Sequence, residues 1–320
     1  MVAATAASMD GYAAFGAAIT HEGFKQTFAC PAPLAIVADV EVIAAAPPAL
    51  SASGYGDLLG KVTAGADWLL ADALGVEPVD PAVWATVQGP LRDALSAPDR
   101  LRAGDPVAVE RFFLGLVLSG LAMQAARSSR PASGVEHLLS HLWEMIHLTH
   151  EGQIPSHGVK VGVGTVLGAA LYEELLDRDL TRVDAEAVAA SWPSPDEIED
   201  EVRRALPAGS IADRAVVESL AKHPTPAELH ERLARLRARW PDLRQRLRAQ
   251  LLPPAALREM LRAVGAPATA GEIGLAPEHL NASLRCARQI RRRYTVFDLA
   301  AETGLLGTCA DAVTAAEDRS

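Results

Sequence analysis

From Ser51 onward, prolines and small polar residues recur at the starts of segments whose apolar residues repeat at helical spacing, and this punctuation limits the chain to packing helices on helices. Ser51 or Ser53 opens a predicted helix that runs to about Leu74 and stops at Gly75. Asp80-Pro81 and Asp105-Pro106 place proline at the first turn of the next two. The second of these carries Phe113, Leu116, Val117 and Leu121 on an apolar face. Ser133-Gly-Val-Glu136 reads as a capping box for a helix through about His150. A loop from Gly152 to Gly158 then precedes a helix to about Asp177. Residues 195–300 continue as amphipathic helices broken at Pro207, Pro224, Pro226, Pro241, Pro253-Pro254 and Pro267. Only the front differs. Leu34 to Asp39 reads as a short buried strand between prolines, Val2 to Thr5 as a second, and the region of Gly11 and Gly16 as loop or hairpin. The expected fold class is therefore mainly α: an all-helical domain over 47–320 preceded by a short α/β remnant over 1–46.

The 320 residues are 49% hydrophobic and 22% charged, the balance of a soluble globular protein and not of a disordered one. At a net charge of −10 the chain has no general electrostatic reason to bind nucleic acid or an anionic membrane. Cys30, Cys286 and Cys309 are too few and too scattered for a disulfide framework, so a reducing cytoplasm is the expected compartment. No signal peptide is read at the N-terminus. The apolar stretch Phe112–Met123 is too short to span a bilayer and reads as a buried helix. Lysine is scarce, 4 against 26 arginines, and Lys25, Lys61 and Lys160 all lie in short glycine-containing segments.

Histidine is concentrated: His137, His141, His147, His150 and His157 fall within one short stretch. His137 and His141 are four apart and share a helix face, so the pair is either a metal-binding couple or two partly exposed helix residues. Leu138 follows His137 where a zincin motif needs glutamate, which excludes that motif. His157 follows a loop and can swing back towards the preceding helix. Asp57, between glycines, is the best candidate for a third ligand, the alternative being a carboxylate that stabilises a helix N-terminus. Val161 to Gly168 resembles a dinucleotide fingerprint only by eye, because its glycines lie inside a helical pattern and not in a strand–turn–helix context. The run Arg285, Arg288, Arg291, Arg292, Arg293 reads as a solvated basic helix face.

Four segments together resemble the sn-glycerol-1-phosphate dehydrogenase family of the iron-containing alcohol dehydrogenase and dehydroquinate synthase-like superfamily. They are Thr5-Ala-Ala-Ser-Met-Asp-Gly-Tyr12, Gly54-Tyr-Gly-Asp-Leu-Leu-Gly-Lys61, Arg130-Pro-Ala-Ser-Gly-Val-Glu-His137 with Ser140-His141, and His157-Gly-Val-Lys-Val-Gly-Val-Gly-Thr165. Gly23-Phe-Lys25 and Arg293-Tyr-Thr-Val296 add weaker support. The resemblance implies the multi-helical C-terminal domain of that fold. It implies a divalent metal, with zinc, nickel and iron all open, on Asp57, His137 and His157. It further implies substrate contacts at Asp10, Asp57 and His141, with His141 in a catalytic role, and NAD or NADP along Thr5, Ala6, Ala7 and Ser8. The implied reaction interconverts dihydroxyacetone phosphate and sn-glycerol 1-phosphate, and a homo-oligomer is left open. Ala14 stands where the family has serine, and Val159 where related enzymes often have a polar residue. The family's Gly-Gly-Gly-type dinucleotide domain is not in the sequence, so residues 1–46 read as its last strands and the chain as inactive by itself. A catalytically dead metal- or partner-binding module, and a glycerol dehydrogenase or dehydroquinate synthase-like enzyme, are the alternative readings.

Overall fold

The computed structural model describes residues 1–14, 16–21 and 24–319. Four short strands come first: β1 (Val2–Ala4), β2 (Ala17–His21), β3 (Phe24–Phe28) and β4 (Ile36–Ala38). The helices follow: α1 (Val40–Ala44), α2 (Pro48–Leu59), α3 (Lys61–Ala73), α4 (Pro81–Ala94), α5 (Pro98–Arg102), α6 (Pro106–Ala126), α7 (Val135–Met145) and α8 (His157–Leu176). The remainder are α9 (Ala185–Ala190), α10 (Pro195–Ala205), α11 (Ser210–Leu220), α12 (Pro226–Gln250), α13 (Pro254–Val264), α14 (Pro277–Cys286), α15 (Val296–Glu302) and α16 (Leu306–Glu317). The protein is mainly α, as expected.

β1 and β4 pair in parallel with Val2 opposite Ile36, and β2 and β3 form an antiparallel hairpin with Ala17 opposite Phe28. The hairpin lies just after the glycine region where a loop or hairpin was expected, while Gly11–Ala13 is a single 3-10 turn. β4 is a strand but not a buried one: Leu34 is 98% and Val37 51% exposed. With one neighbouring strand it has too little around it to cover its apolar side chains.

The helices enclose a small cluster of Trp68, Val83, Val87 and Ala122 and two large apolar cores. The larger joins α3, α7, α8 and α12 through Trp143, Tyr172, Leu236 and Trp240, and the smaller joins α2, α6 and α13 through Tyr55, Phe112 and Leu261. α8 contributes to both. Its glycines are packing positions, as the rejected dinucleotide reading requires: a side chain at Gly164 would meet the Glu136 backbone and one at Gly168 would meet Val135. α6 is long and apolar enough to cross a membrane, and 56% of its most apolar window is buried against the rest of the chain.

Several helix limits differ from expectation. The first long helix begins at Pro48, not at a serine cap, and it is divided at Gly60 into α2 and α3; Ser53 instead points its hydroxyl at Ser8 and Ser156. Ser133 does not cap α7. Its N-cap is Gly134, and the Glu136 carboxylate that a capping box would turn back to the cap serves other partners as well. α7 ends at Met145, and His147 takes a left-handed φ of 56°, so the helix does not reach His150. Pro241 does not break α12, because Leu236, Trp240, Leu243 and Leu247 are buried on both sides of it and their packing outweighs one lost backbone bond. The arginine run is solvated only in part and is not one helix face: Arg285 is exposed in the last turn of α14 and Arg292 is exposed beyond it, while Arg288, Arg291 and Arg293 are half-buried. α14 ends at Cys286, after which Arg292 pairs with Glu218 and Arg293 donates to the Ser133 carbonyl and the Ser129 hydroxyl. Burial, then the neighbouring Arg130, brings Arg293 down to about 10.

Candidate metal and substrate site

Helices α2 and α8 cross with their backbones in contact. A Cβ at Gly158 would sit 1.8 Å from the Ser53 carbonyl oxygen, and one at Gly56 would sit 2.2 Å from the Gly158 carbonyl oxygen. No side chain other than hydrogen fits there. The residues beside these glycines are Asp57 and His157, so the close crossing is what brings them together. Helix α7 packs on α8 and supplies His137. Ligand atoms of Asp57, His137 and His157 all lie within 4.8 Å of one another, although the residues are far apart in sequence.

His141 stands one turn beyond His137. Its ring centroid is 5.9 Å from that of His137 and 5.8 Å from that of His157, and His137 and His157 are 5.3 Å apart. Burial, reinforced by the nearby Arg291 guanidinium, holds the His141 imidazole well below its usual range, so it is neutral at pH 7. Its Nδ1 is buried and makes no hydrogen bond among the described residues.

Asp57 is fully buried and engaged on both oxygens. Oδ2 accepts the Asp10 backbone N–H at 3.0 Å, and Oδ1 accepts Lys61 Nζ at 2.8 Å with His137 Nε2 at 3.6 Å. Burial would raise the Asp57 carboxyl, but the Lys61 ammonium and His137 outweigh it and hold the group well below the carboxylate range. Lys61, also fully buried, bridges Asp57 and Asp10, at 2.8 and 2.9 Å. Burial opposes its charge, and the two carboxylates reverse that and raise it. The second Asp10 partner is the Ser119 hydroxyl, at 2.7 Å. On the other side, His137 Nδ1 lies 2.8 Å from Glu136 Oε1, and His157 Nδ1 lies 2.9 Å from Glu144 Oε1, which Lys160 Nζ approaches at 3.4 Å.

These contacts suit a divalent cation. Two imidazoles and one carboxylate are a common donor set for zinc, nickel or iron and leave further positions open. The carboxylates of Asp10, Asp57, Glu136 and Glu144 gather around the two imidazoles, with the ammoniums of Lys61 and Lys160 against them. Of the other anticipated residues, Ala7 is buried with its carbonyl against Gly54, and Ser8 offers its carbonyl to Ser53 at 3.3 Å, so both lie on α2 next to Asp57. Thr5 is exposed and Ala6 half-buried. Of the weaker motif Gly23-Phe-Lys25, Gly23 lies outside the described residues. His147 and His150 are not part of the cluster.

Sequence reasoning missed Lys61, Glu136 and Glu144. Lys61 is four residues after Asp57, an ion-pair spacing on a helix. Glu144 completes a polar stripe with His137, Ser140 and His141 at i, i+3, i+4 and i+7 on a helix that is apolar elsewhere except at Glu136, and residue spacing alone is enough to reveal that pattern.

The chain is similar to known proteins over most of its length. A family model described as iron-containing alcohol dehydrogenase matches residues 1–47. Over 302 residues, 94% of this chain and 62% of the relative, the sequence is 31% identical to glycerol-1-phosphate dehydrogenase [NAD(P)+] of Bacillus licheniformis. It is 41% identical to the enzyme of that name from Halalkalibacterium halodurans over 169 residues, 53% of this chain and 42% of that one. The chain thus matches less than two thirds of the length of these relatives. Among solved structures, a probable glycerol dehydrogenase from Sinorhizobium meliloti superposes with a TM-score of 0.56 at 18% identity, covering 99% of this chain and 70% of that one. Glycerol dehydrogenase from Schizosaccharomyces pombe gives 0.51 at 17%, covering 99% and 62%. At such identities these two structures speak for the fold alone.

Proposed function

We propose, from the chain's kinship with the glycerol-1-phosphate dehydrogenases, that it carries the metal- and substrate-binding part of a cytoplasmic NAD(P)-linked oxidoreductase acting on dihydroxyacetone phosphate and sn-glycerol 1-phosphate. The observation that carries this reading is the convergence of Asp57, His137 and His157 within 4.8 Å. Residues 47–320 form its helical domain, and residues 1–46 the strands against which a dinucleotide would lie, with Thr5, Ala6, Ala7 and Ser8 as the cofactor-lining stretch.

Asp57, His137 and His157 would hold the cation. When bound, a divalent ion polarises a carbonyl oxygen or lowers the pKa of the matching alcohol. His141, kept neutral by its surroundings, offers one ring nitrogen to a substrate hydroxyl or to the proton that the alcohol gains or loses as hydride moves to or from its carbon. Asp57 is shared between cation and substrate. Asp10 steadies the rim through its backbone N–H on Asp57 and its carboxylate on Lys61 and Ser119.

The test is metal content and turnover of the purified chain. We expect about one equivalent of zinc, nickel or iron, lost in Asp57→Asn and His157→Ala. NADH and NADPH oxidation with dihydroxyacetone phosphate is expected to need the relatives' additional length. Turnover by the chain alone, abolished in His157→Ala, would establish the enzyme and overturn that need. Absence of bound metal would leave a helical module without this chemistry.

A further inference from the structure

The two histidines of the proposed cation site are held in the same way by different means. We infer that Glu136 and Glu144 are a matched pair of positioning residues, each fixing the Nδ1–H of one histidine so that the opposite nitrogen, Nε2, is presented as an electron-pair donor. The inference rests on the metal reading above and adds to it the residues that decide ring orientation and tautomer.

A carboxylate can only accept, so Nδ1 must be the donor in both contacts, His137 to Glu136 at 2.8 Å and His157 to Glu144 at 2.9 Å. A neutral imidazole protonated at Nδ1 carries its lone pair on Nε2. Carboxylates behind metal-binding imidazoles act in this way, fixing the ring and raising its donor strength. Each glutamate is anchored apart from its histidine. Glu136 accepts the Thr63 hydroxyl at 2.6 Å and the Gly134 N–H at 2.5 Å, which ties it to α3 and to the start of α7. Glu144 faces the Lys160 ammonium, one turn beyond His157 on α8. A single helix, α7, therefore supplies both carboxylates and one ligand, while the second ligand reaches it from α8. His141, Glu144 and His157 also bring ligand atoms within 4.8 Å of one another, but Lys160 at 3.4 Å from the same Glu144 oxygen already supplies a cation there. A positioning role fits that arrangement better than a second metal.

The experiment titrates zinc into the full chain and into Glu136→Gln and Glu144→Gln, then records long-range proton–nitrogen spectra of the zinc-loaded, histidine-labelled proteins. Zinc affinity should fall about 10–100-fold in each variant. The Nδ1–H signal of His137 should move only in Glu136→Gln, and that of His157 only in Glu144→Gln, a selectivity that general loosening of the fold would not produce. If Glu136→Gln fails to fold, Glu144→Gln still decides the matter. Unchanged affinity with unmoved Nδ1–H signals overturns the inference while the metal reading survives. Failure of the unaltered chain to bind zinc overturns both. A second equivalent of zinc lost in His141→Ala would instead assign Glu144 as a ligand.

Discussion

Around Asp57 and His157 two helices touch backbone to backbone, and the Asp57 and Glu144 carboxylates are paired with Lys61 and His157 inside the fold. In residues 2–38 the strands pair only two by two, and Leu34, Val37, Ile19 and Phe28 stand largely in solvent. The difference teaches where the chain's order comes from. The helical part is over-determined by glycine contacts and buried ion pairs, so the candidate site depends on α2, α3, α7 and α8 and on the buried Asp10 turn, and not on the paired strands around that turn. Substitutions should therefore be costly in the first region and nearly silent at the exposed strand positions of the second, a region in which Ala7 and Asp10 are among the buried exceptions.

The largest effect is expected at Lys61. Lys61→Met removes the only cation that bridges Asp10 and Asp57 among the described residues and leaves both carboxylates uncompensated. Breaking a buried pair in this way costs about 3–5 kcal/mol. Urea unfolding of the metal-free chain should show that loss, and added zinc should recover part of it by neutralising Asp57. A loss below about 1 kcal/mol, the range of exposed pairs, would mean that the helical site is less tightly determined than its contacts imply.

Gly158→Ala comes next. The new methyl would be forced against the Ser53 carbonyl, a backbone atom that cannot turn aside, so α2 and α8 must separate. Overpacking of this kind costs about 1–3 kcal/mol, and zinc affinity should fall with it because Asp57 and His157 are displaced. Gly89→Ala is the control. Outside its chain neighbours nothing lies within 4 Å of its Cβ position on α4, and because the helix gain of alanine is set against the Cβ's crowding with the following Pro90, the stability change should stay within about 0.5 kcal/mol. Equal effects at the two glycines would break the link between the crossing and the site.

A smaller, pH-dependent effect is expected at Asp67, which accepts the Val135 and Val296 N–H groups and the Tyr172 hydroxyl. Burial, then the charge of Glu136, raises its carboxyl from 3.8 to about 7. The folded state thus holds this proton more tightly than the unfolded chain does. Its contribution to stability is complete below pH 3.8 and is lost as pH rises through about 7. Between pH 6 and pH 8 the unaltered chain should lose roughly 1.3 kcal/mol more than Asp67→Asn. Parallel stability profiles for the two proteins would show that the three donors keep the carboxylate ionised throughout.

Much of this was open to the sequence, and the reasons for the remainder are physical. Helix order and most breaks follow from proline and capping residues, which act within a turn or two. The front strands and the histidine cluster were visible for the same reason. Pro241 went the other way because tertiary packing outweighs a single local preference, as the buried row from Leu229 to Leu247 demonstrates, whereas at Gly60 the chain divides a helix that the apolar pattern runs straight through. Glu136 was read as a cap partner because sequence spacing cannot reveal that Thr63 and His137 also reach its carboxylate. Asp57 could be nominated from its flanking glycines, but its meeting with His157 depends on a helix crossing that no local pattern encodes.

The smallest effect belongs to the front of the chain. Leu34 is 98% exposed and borders an open groove with Pro31, Pro33, Gln124 and Arg127, so Leu34→Ser removes almost no buried surface. Its stability change should stay within about 0.5 kcal/mol, the range of ordinary surface substitutions. Solubility should change more than stability, because β1 and β4 form a two-stranded sheet with open edges beside an apolar side chain, and such edges recruit other chains. The measurement is a pair of curves for each protein: urea unfolding, and the concentration at which light scattering rises. Later onset of scattering with an unchanged unfolding midpoint is the expected result. A clear fall in the midpoint would show that Leu34 contributes to the cooperative unit, and the contrast between a self-supporting helical site and an exposed front would then fail where it is easiest to test.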